Sequence, residues 1–84
     1  MTGRVLLVED EEGLRIFVGD SLRNEGYTVE YASDGEEGLH KATHLPIDLI
    51  ILDIMLPGKS GFDLCRELRA EKNRTPILMS TVRV

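Results

Sequence analysis

Several residue types are scarce in this chain of 84 residues, and each scarcity excludes a class of protein. The single cysteine, Cys65, excludes an internal disulfide, and its apolar neighbours favour a small core residue over a reactive thiol. No apolar run reaches the roughly 18 residues of a membrane-spanning helix, and no charged and then apolar leader opens the chain. We therefore expect a cytoplasmic protein without a membrane segment.

Positive charge is also in short supply. Lys and Arg number 10 against 15 Asp and Glu, which gives a formal net charge of -5 and a pI of about 4.9. Binding to nucleic acid or to an anionic membrane needs a basic surface, so we expect neither from this chain. The 42% hydrophobic and 30% charged composition is that of an ordinary globular protein, and the length leaves room for one small domain.

The spacing of apolar residues and chain breakers predicts alternating strands and helices. Strands are predicted at residues 5–8, 28–32, 47–53 and 77–79. Helices are predicted at residues 12–25, with Leu14, Phe17, Val18 and Leu22 inward and Gly26 as cap, at 36–44, and at 62–72, with Cys65 and Leu68 inward. The second strand should lie nearer the sheet edge because its apolar residues alternate with polar ones. This order predicts a parallel sheet with helices on both faces.

Acidic residues stand where two of the predicted buried strands end. Glu9 and Asp10 follow the first strand, and Asp53 ends the third. Ligands of such sheets bind outside the carboxyl ends of the strands, so we expect these carboxylates to meet at one edge. Two carboxylates about 4 Å apart repel by roughly 4 kcal/mol at an effective dielectric constant near 20, which a cation or a change of protonation has to relieve. Taken singly, each acid could merely cap a helix, but their grouping favours a site.

An all-oxygen site of this kind suits Mg²⁺. Asp10 and Asp53 would supply two ligands and a backbone carbonyl just past Asp53 a third, whereas the chain lacks the cysteine pair or histidine cluster typical of zinc. An aspartate beside a cation can attack phosphorus and hold the phosphoryl group as an acyl phosphate. Thr81, just after the fourth strand, is placed by topology to donate a hydrogen bond to a phosphoryl oxygen.

Other polar residues carry weaker signals. His40 and His44 lie four residues apart on a predicted helix, but without a third ligand we interpret them as surface residues. Lys59, in the loop after Asp53, could approach a phosphoryl group, although loop lysines are usually solvated. The side chains predicted to serve packing are Leu56, Phe62 and Tyr31.

Together, these motifs resemble the receiver domain of two-component response regulators. The segment RVLLVEDEE places Glu9 and Asp10 on the family's acidic pair, and LIILDIMLPGKSGFDLCRELR places Asp53 on the phosphoacceptor. Pro57 and Gly61 match the family's loop proline and glycine, and TPILMST places Thr81 on its hydroxyl switch residue. The resemblance runs over about residues 4–81 and implies a flavodoxin-like, doubly wound parallel sheet.

The same resemblance implies the ligands and partner of the site. Magnesium would be held by Asp10, Asp53 and the Met55 carbonyl, with Glu9 supporting through water. The phosphoryl group would come from a sensor histidine kinase.

The resemblance further implies that residues 1–84 are the N-terminal portion of a receiver domain. The family continues with a fourth helix, a fifth strand and a fifth helix, and that part carries its phosphate-pairing lysine. We therefore expect a sheet of order 2-1-3-4 whose fourth strand is an exposed edge. Because an unpaired edge and uncovered apolar surface invite pairing, we predict self-association or domain swapping through residues 77–79 or the helix face near Phe17 and Leu22.

Two functions remain open. The first is a phosphorylatable receiver, regulatory and not an enzyme. The second is a truncated or degenerate receiver that acts as an interaction module without phosphotransfer, favoured by the absent lysine segment and by Val82, where the family usually has a small residue.

Two further classes are disfavoured. A metal-dependent phosphohydrolase or toprim-like nucleotidyl enzyme would need a D-x-D motif, and Met55 stands in place of its second acid. A flavin-binding domain is opposed by the acidic turn after the first strand, because a loop that cradles phosphate is not acidic.

Overall fold

The computed structural model describes residues 3–80, which form a four-stranded sheet with helices between the strands. The elements are β1 (Arg4–Val8), α1 (Glu12–Asn24), β2 (Thr28–Ala32), α2 (Gly35–His44), β3 (Leu49–Asp53), α3 (Gly61–Ala70) and β4 (Ile77–Ser80). All three strand pairs are parallel and their order is β2-β1-β3-β4. The predicted flavodoxin-like class and strand order are confirmed, with β2 at one edge and β4 at the other.

Alternate side chains of the central strands serve opposite faces of the sheet. The face covered by α2 and α3 holds the main core, which contains Leu6, Val8, Ile50, Leu52, Ala42, Leu64 and Leu68. On the other face, Leu7 and Ile51 line a groove beside α1. β1 is buried from Val5 to Val8, whereas β3 buries Ile50 and Leu52 in the main core and leaves Leu49 and Ile51 half-buried on the other face.

The helices begin and end at residues whose side chains or backbone satisfy the helix termini. The Glu11 carboxylate accepts hydrogen bonds from the backbone N–H groups of Gly13 and Leu14 at the start of α1. At its end, Gly26 takes a left-handed φ of 98°, and its N–H donates to the Arg23 carbonyl. This conformation suits glycine, so the predicted cap is confirmed. Asp34 and Ser60 cap α2 and α3 in the same way as Glu11.

Some predicted side-chain placements are wrong. Phe17 is 70% exposed and Phe62 is 56% exposed, so neither packs inward among the residues that the structure describes. On α1 the predicted inward residues Leu14, Val18 and Leu22 are only half-buried. Phe62, in the first turn of α3, has its side chain on the exposed side of that helix. Cys65 is only partly buried. Helix α3 ends at Ala70 because the chain turns at Lys72, whose φ is 63°.

Other placements agree with the sequence. His40 and His44 are exposed, with stacked rings 4.3 Å apart between centroids. Leu56 is buried, as expected for a packing residue. Between residues 3 and 80, no helix is long and apolar enough to cross a bilayer.

Candidate functional site

The acids that follow β1 and end β3 come together at the carboxyl edge of the sheet. Glu9, Asp10 and Asp53 each offer a carboxylate oxygen, and these oxygens lie within 4.8 Å of one another. Strand register explains this closeness, because Val8 is paired with Leu52 and the two strands therefore end side by side. Elsewhere in the described chain, no other group of His, Cys, Asp and Glu has this arrangement.

Burial distinguishes the members of this acidic cluster. Glu9 is 3% exposed and Asp53 is 2% exposed, whereas Asp10 is half-buried. Buried carboxylates need hydrogen bonds or charge partners to offset their lost hydration. The Glu9 carboxylate accepts a bond of 2.9 Å from the Glu11 N–H, and Asp53 Oδ1 accepts one of 2.9 Å from the Met55 N–H. These bonds hold the two buried carboxylates in fixed orientations at the strand ends.

The backbone beneath the acidic cluster is also held from both sides. The Glu9 N–H donates to the Ala32 carbonyl at 3.0 Å, which continues the pairing of β1 with β2. The Arg15 guanidinium donates to the Glu9 carbonyl at 2.8 Å. Arg15 was not singled out in the sequence, because this contact depends on the path of the turn between β1 and α1. Its position in the first turn of the helix after an acidic pair is the only sequence signal for it.

The loop after Asp53 closes on itself. The Ile54 N–H donates to the Ser80 carbonyl at 3.3 Å, and the Gly61 N–H donates to the Ile54 carbonyl at 3.0 Å. Met55 lies just beyond this closure, and its side chain is exposed. The Met55 backbone is therefore tied to Asp53 through its N–H and to the sheet through Ile54.

Two residues discussed from the sequence lie outside the described residues. Thr81 and Val82 follow Ser80, the last described residue, which is paired with Asp53 in the β3–β4 register. The role of Thr81 as a hydroxyl donor and the crowding by Val82 stay predictions.

Lys59 does not match either interpretation of it from the sequence. It is neither solvated nor directed to a phosphoryl group, because its ammonium contacts Glu36 at 3.2 Å and also Glu67. Its side chain is only 16% exposed. The hydrogen bond to Glu67, and to a smaller extent the one to Glu36, raise the pKa of Lys59 above its ordinary value. The lysine is therefore a charged link between the loop and two helices.

A doubly wound parallel sheet with an acidic cluster at its carboxyl edge defines a narrow class of protein, and comparison with known proteins identifies it. The sequence profile of the response regulator receiver domain family matches residues 5–84 of this chain. This chain belongs to the response regulator receiver domain family, as the sequence motifs implied.

Curated relatives and solved structures agree with this assignment. The chain is 46% identical over 79 residues to the response regulator ArlR of Staphylococcus epidermidis, covering 94% of this chain and 36% of ArlR. It is 45% identical over 83 residues to PhoP, the alkaline phosphatase synthesis transcriptional regulatory protein of Bacillus subtilis. This match covers 99% of this chain and 35% of PhoP. The chain thus spans about a third of the length of these relatives.

The similar structures are receiver proteins. The response regulator TrrA of Thermotoga maritima, solved in complex with Mg²⁺ and BeF, has a TM-score of 0.91 and 38% identity, over 96% of this chain and 70% of that one. The chemotaxis protein CheY4 of Vibrio cholerae has a TM-score of 0.90 and 37% identity, over 100% of this chain and 72% of CheY4.

Proposed function

We propose that this chain accepts a phosphoryl group on Asp53 from a sensor histidine kinase, with Mg²⁺ bound beside the acceptor. The observation that carries this proposal is the acidic cluster, in which three carboxylate oxygens lie within 4.8 Å of one another at the carboxyl edge of the sheet. Such a concentration of negative charge favours a divalent cation. The Mg²⁺ and BeF in the TrrA structure support the same chemistry.

The donor set fits magnesium. All the available side-chain ligands in the cluster are hard carboxylate oxygens, which Mg²⁺ prefers over nitrogen or sulfur. Asp10, Asp53 and the Met55 carbonyl would hold the ion, with Glu9 acting through water. When bound, the ion would neutralise charge that develops on the oxygens of the transferring phosphoryl group.

The protein's own part in the transfer is to position the nucleophile. A carboxylate oxygen of Asp53 attacks phosphorus, a new O–P bond forms, and the bond between phosphorus and the donor imidazole nitrogen breaks with its electron pair going to nitrogen. The Met55 N–H holds the carboxylate in one orientation through its bond to Oδ1. We propose that the Thr81 hydroxyl donates to a phosphoryl oxygen.

The product of this reaction stays attached to Asp53, so we propose a regulatory role and not that of an enzyme. We also propose that the chain acts in the cytoplasm. The net charge of -5 supports our expectation that this chain does not itself contact nucleic acid.

Phosphorylation of Asp53 is tested by incubating the chain with Mg²⁺ and acetyl phosphate and then measuring its intact mass. We expect a single phosphate adduct in the wild-type chain and none in Asp53→Asn, because the amide is a poor nucleophile. Asp63→Asn is the matched control, since Asp63 is an exposed aspartate on α3, and it should form the adduct. An adduct on Asp53→Asn, or no adduct on the wild type, would contradict the proposal.

An interaction module is the second candidate function, and an exposed apolar surface favours it. Within residues 3–80, β4 pairs only with β3, and Leu78 of β4 is 56% exposed. Leu78 also lines a groove of about 260 Å³ with Leu14, Val18 and Ile51. An edge strand beside apolar surface is a common place for another chain to pair. We propose that a second copy of this chain covers this surface, by edge pairing or domain swapping.

Self-association is measured by light scattering and sedimentation over a range of concentrations. We expect a dimer or larger species for the wild type and a monomer for Leu78→Lys, because a charge at the edge opposes pairing. Phe62→Lys is the control, since Phe62 is equally exposed at 56% but lies on α3. A wild-type monomer with a sharp cooperative melt would rule the module out.

A further inference from the structure

The loop of residues 54–60 between β3 and α3 is fixed by Lys59, near the end that joins α3. The Lys59 ammonium contacts a carboxylate on α2, that of Glu36 at 3.2 Å, and a carboxylate on α3, that of Glu67. Glu36 and Glu67 keep substantial exposure, but the lysine between them is largely shielded from water. A single side chain thus links the loop to both helices of the main core.

Backbone packing at the same point provides a second, independent contact. A Cβ atom at Gly35, the first residue of α2, would lie 2.7 Å from both the Cβ and the carbonyl oxygen of Lys59. Real Cβ atoms do not approach this closely, so Lys59 and the start of α2 can meet only where residue 35 has no side chain. The path of the loop therefore depends on the position of α2.

This loop carries Met55, whose carbonyl is the proposed third protein ligand of Mg²⁺. The two ends of the loop are joined by the bond from the Gly61 N–H to the Ile54 carbonyl, and Lys59 ties the end near α3 to α2. A carbonyl ligand on a loop binds a metal well only if the loop is already ordered, because ordering it on binding costs free energy.

We propose that Lys59 is a positioning residue for magnesium, which holds the loop of residues 54–60 in the shape that presents the Met55 carbonyl. The inference rests on the proposed function, since it assumes that the acidic cluster binds Mg²⁺. For the loss of Lys59, this role predicts weaker binding of Mg²⁺, whereas the change of charge alone predicts tighter binding. Removing a positive charge strengthens cation binding by Coulomb's law, whereas losing the contact that holds the loop weakens cation binding.

Magnesium binding is followed by titrating the ¹⁵N-labelled 84-residue chain with MgCl₂ and recording amide shifts of Asp10 and Met55. We expect the Kd of Lys59→Met to rise about tenfold, at the lower end of the 10–100-fold loss that removal of a metal site's outer supports causes. Gly35→Ala, which displaces the loop without changing charge, should also raise it. Lys72→Met removes the same charge at an exposed site beyond α3 and should leave the Kd unchanged.

The outcomes distinguish a failure of the proposed function from a failure of the role assigned to Lys59. If the wild type shows no saturable shift with MgCl₂, the proposed function fails. If the wild type binds and Lys59→Met binds equally well or more tightly, only the role of Lys59 is overturned. Should Lys59→Met melt much earlier than the wild type without metal, Gly35→Ala decides the question, and an unchanged Kd in that variant overturns the inference.

Discussion

Replacing Asp10 by asparagine is expected to stabilise the metal-free chain and to abolish its response to magnesium. Without a cation, three carboxylates with oxygens within 4.8 Å of one another oppose folding. A pair about 4 Å apart repels by roughly 4 kcal/mol at an effective dielectric constant near 20. Asp10 is half-buried, so solvent screening reduces this figure, and we expect a net gain of about 1 kcal/mol. For a domain of this size, that gain corresponds to a rise in Tm of roughly 4–8 °C.

Magnesium should make the wild type more stable than Asp10→Asn, which is the reverse of their order without metal. A ligand that binds only the folded state stabilises it by about 2.7 kcal/mol at a hundred times its Kd. The wild type gains this stabilisation, whereas Asp10→Asn has lost a proposed ligand. Thermal unfolding followed by circular dichroism, at increasing MgCl₂, should therefore show the variant ahead without metal and the wild type ahead at saturation.

A charge change elsewhere provides the control for this experiment. Asp20→Asn removes one negative charge from an exposed position on α1, and we expect a change within about 0.5 kcal/mol with the magnesium response intact. If Asp10→Asn melted below the metal-free wild type, or gained as much from magnesium, repulsion within the acidic cluster would not govern this edge of the sheet.

Replacing Leu64 by alanine is expected to remove a large share of the protein's free energy of unfolding. Leu64 is fully buried in the core that α2 and α3 form with the sheet. Truncating a buried leucine to alanine costs about 2–5 kcal/mol, through lost burial and the cavity left behind. A domain's whole stability is about 5–15 kcal/mol, and a chain of this length lies toward the low end. Urea unfolding followed by circular dichroism should show a large fall in the midpoint.

The same chemical change at the sheet edge separates burial from side-chain identity. Leu78→Ala removes an identical group from a residue that is 56% exposed, and we expect a loss of at most about 1 kcal/mol at low protein concentration. Equal losses in the two variants would mean that Leu64 does not lie in a packed core.

Much of the fold could be predicted because its signals are local. The apolar runs that became β1 and β3 are continuous in the sequence, as is typical of parallel strands that carry apolar side chains on both faces. Gly26 marked the end of α1 because a left-handed residue closes the helix there. Strand order was accessible only through the family resemblance, since alternation by itself predicts a parallel sheet without specifying which strands are neighbours.

The candidate site was predicted in its acids but not in its supports. Glu9, Asp10 and Asp53 stand at strand ends, and parallel strands bring their carboxyl ends to one edge. Arg15 beneath Glu9 was not predicted, because the shape of the turn between strand and helix is set by packing. The same holds for the exposure of Phe17, which depends on how α1 is rotated against the sheet.

The sequence by itself determined the order and type of the elements and the edge at which the acidic cluster forms. These features depend on near neighbours along the chain and on the direction of parallel strands. Only the tertiary structure decided that Lys59 links Glu36 of α2 to Glu67 of α3. An ion pair between separate elements depends on the path of a loop and the packing of two helices, and neither has a periodic signal in the sequence.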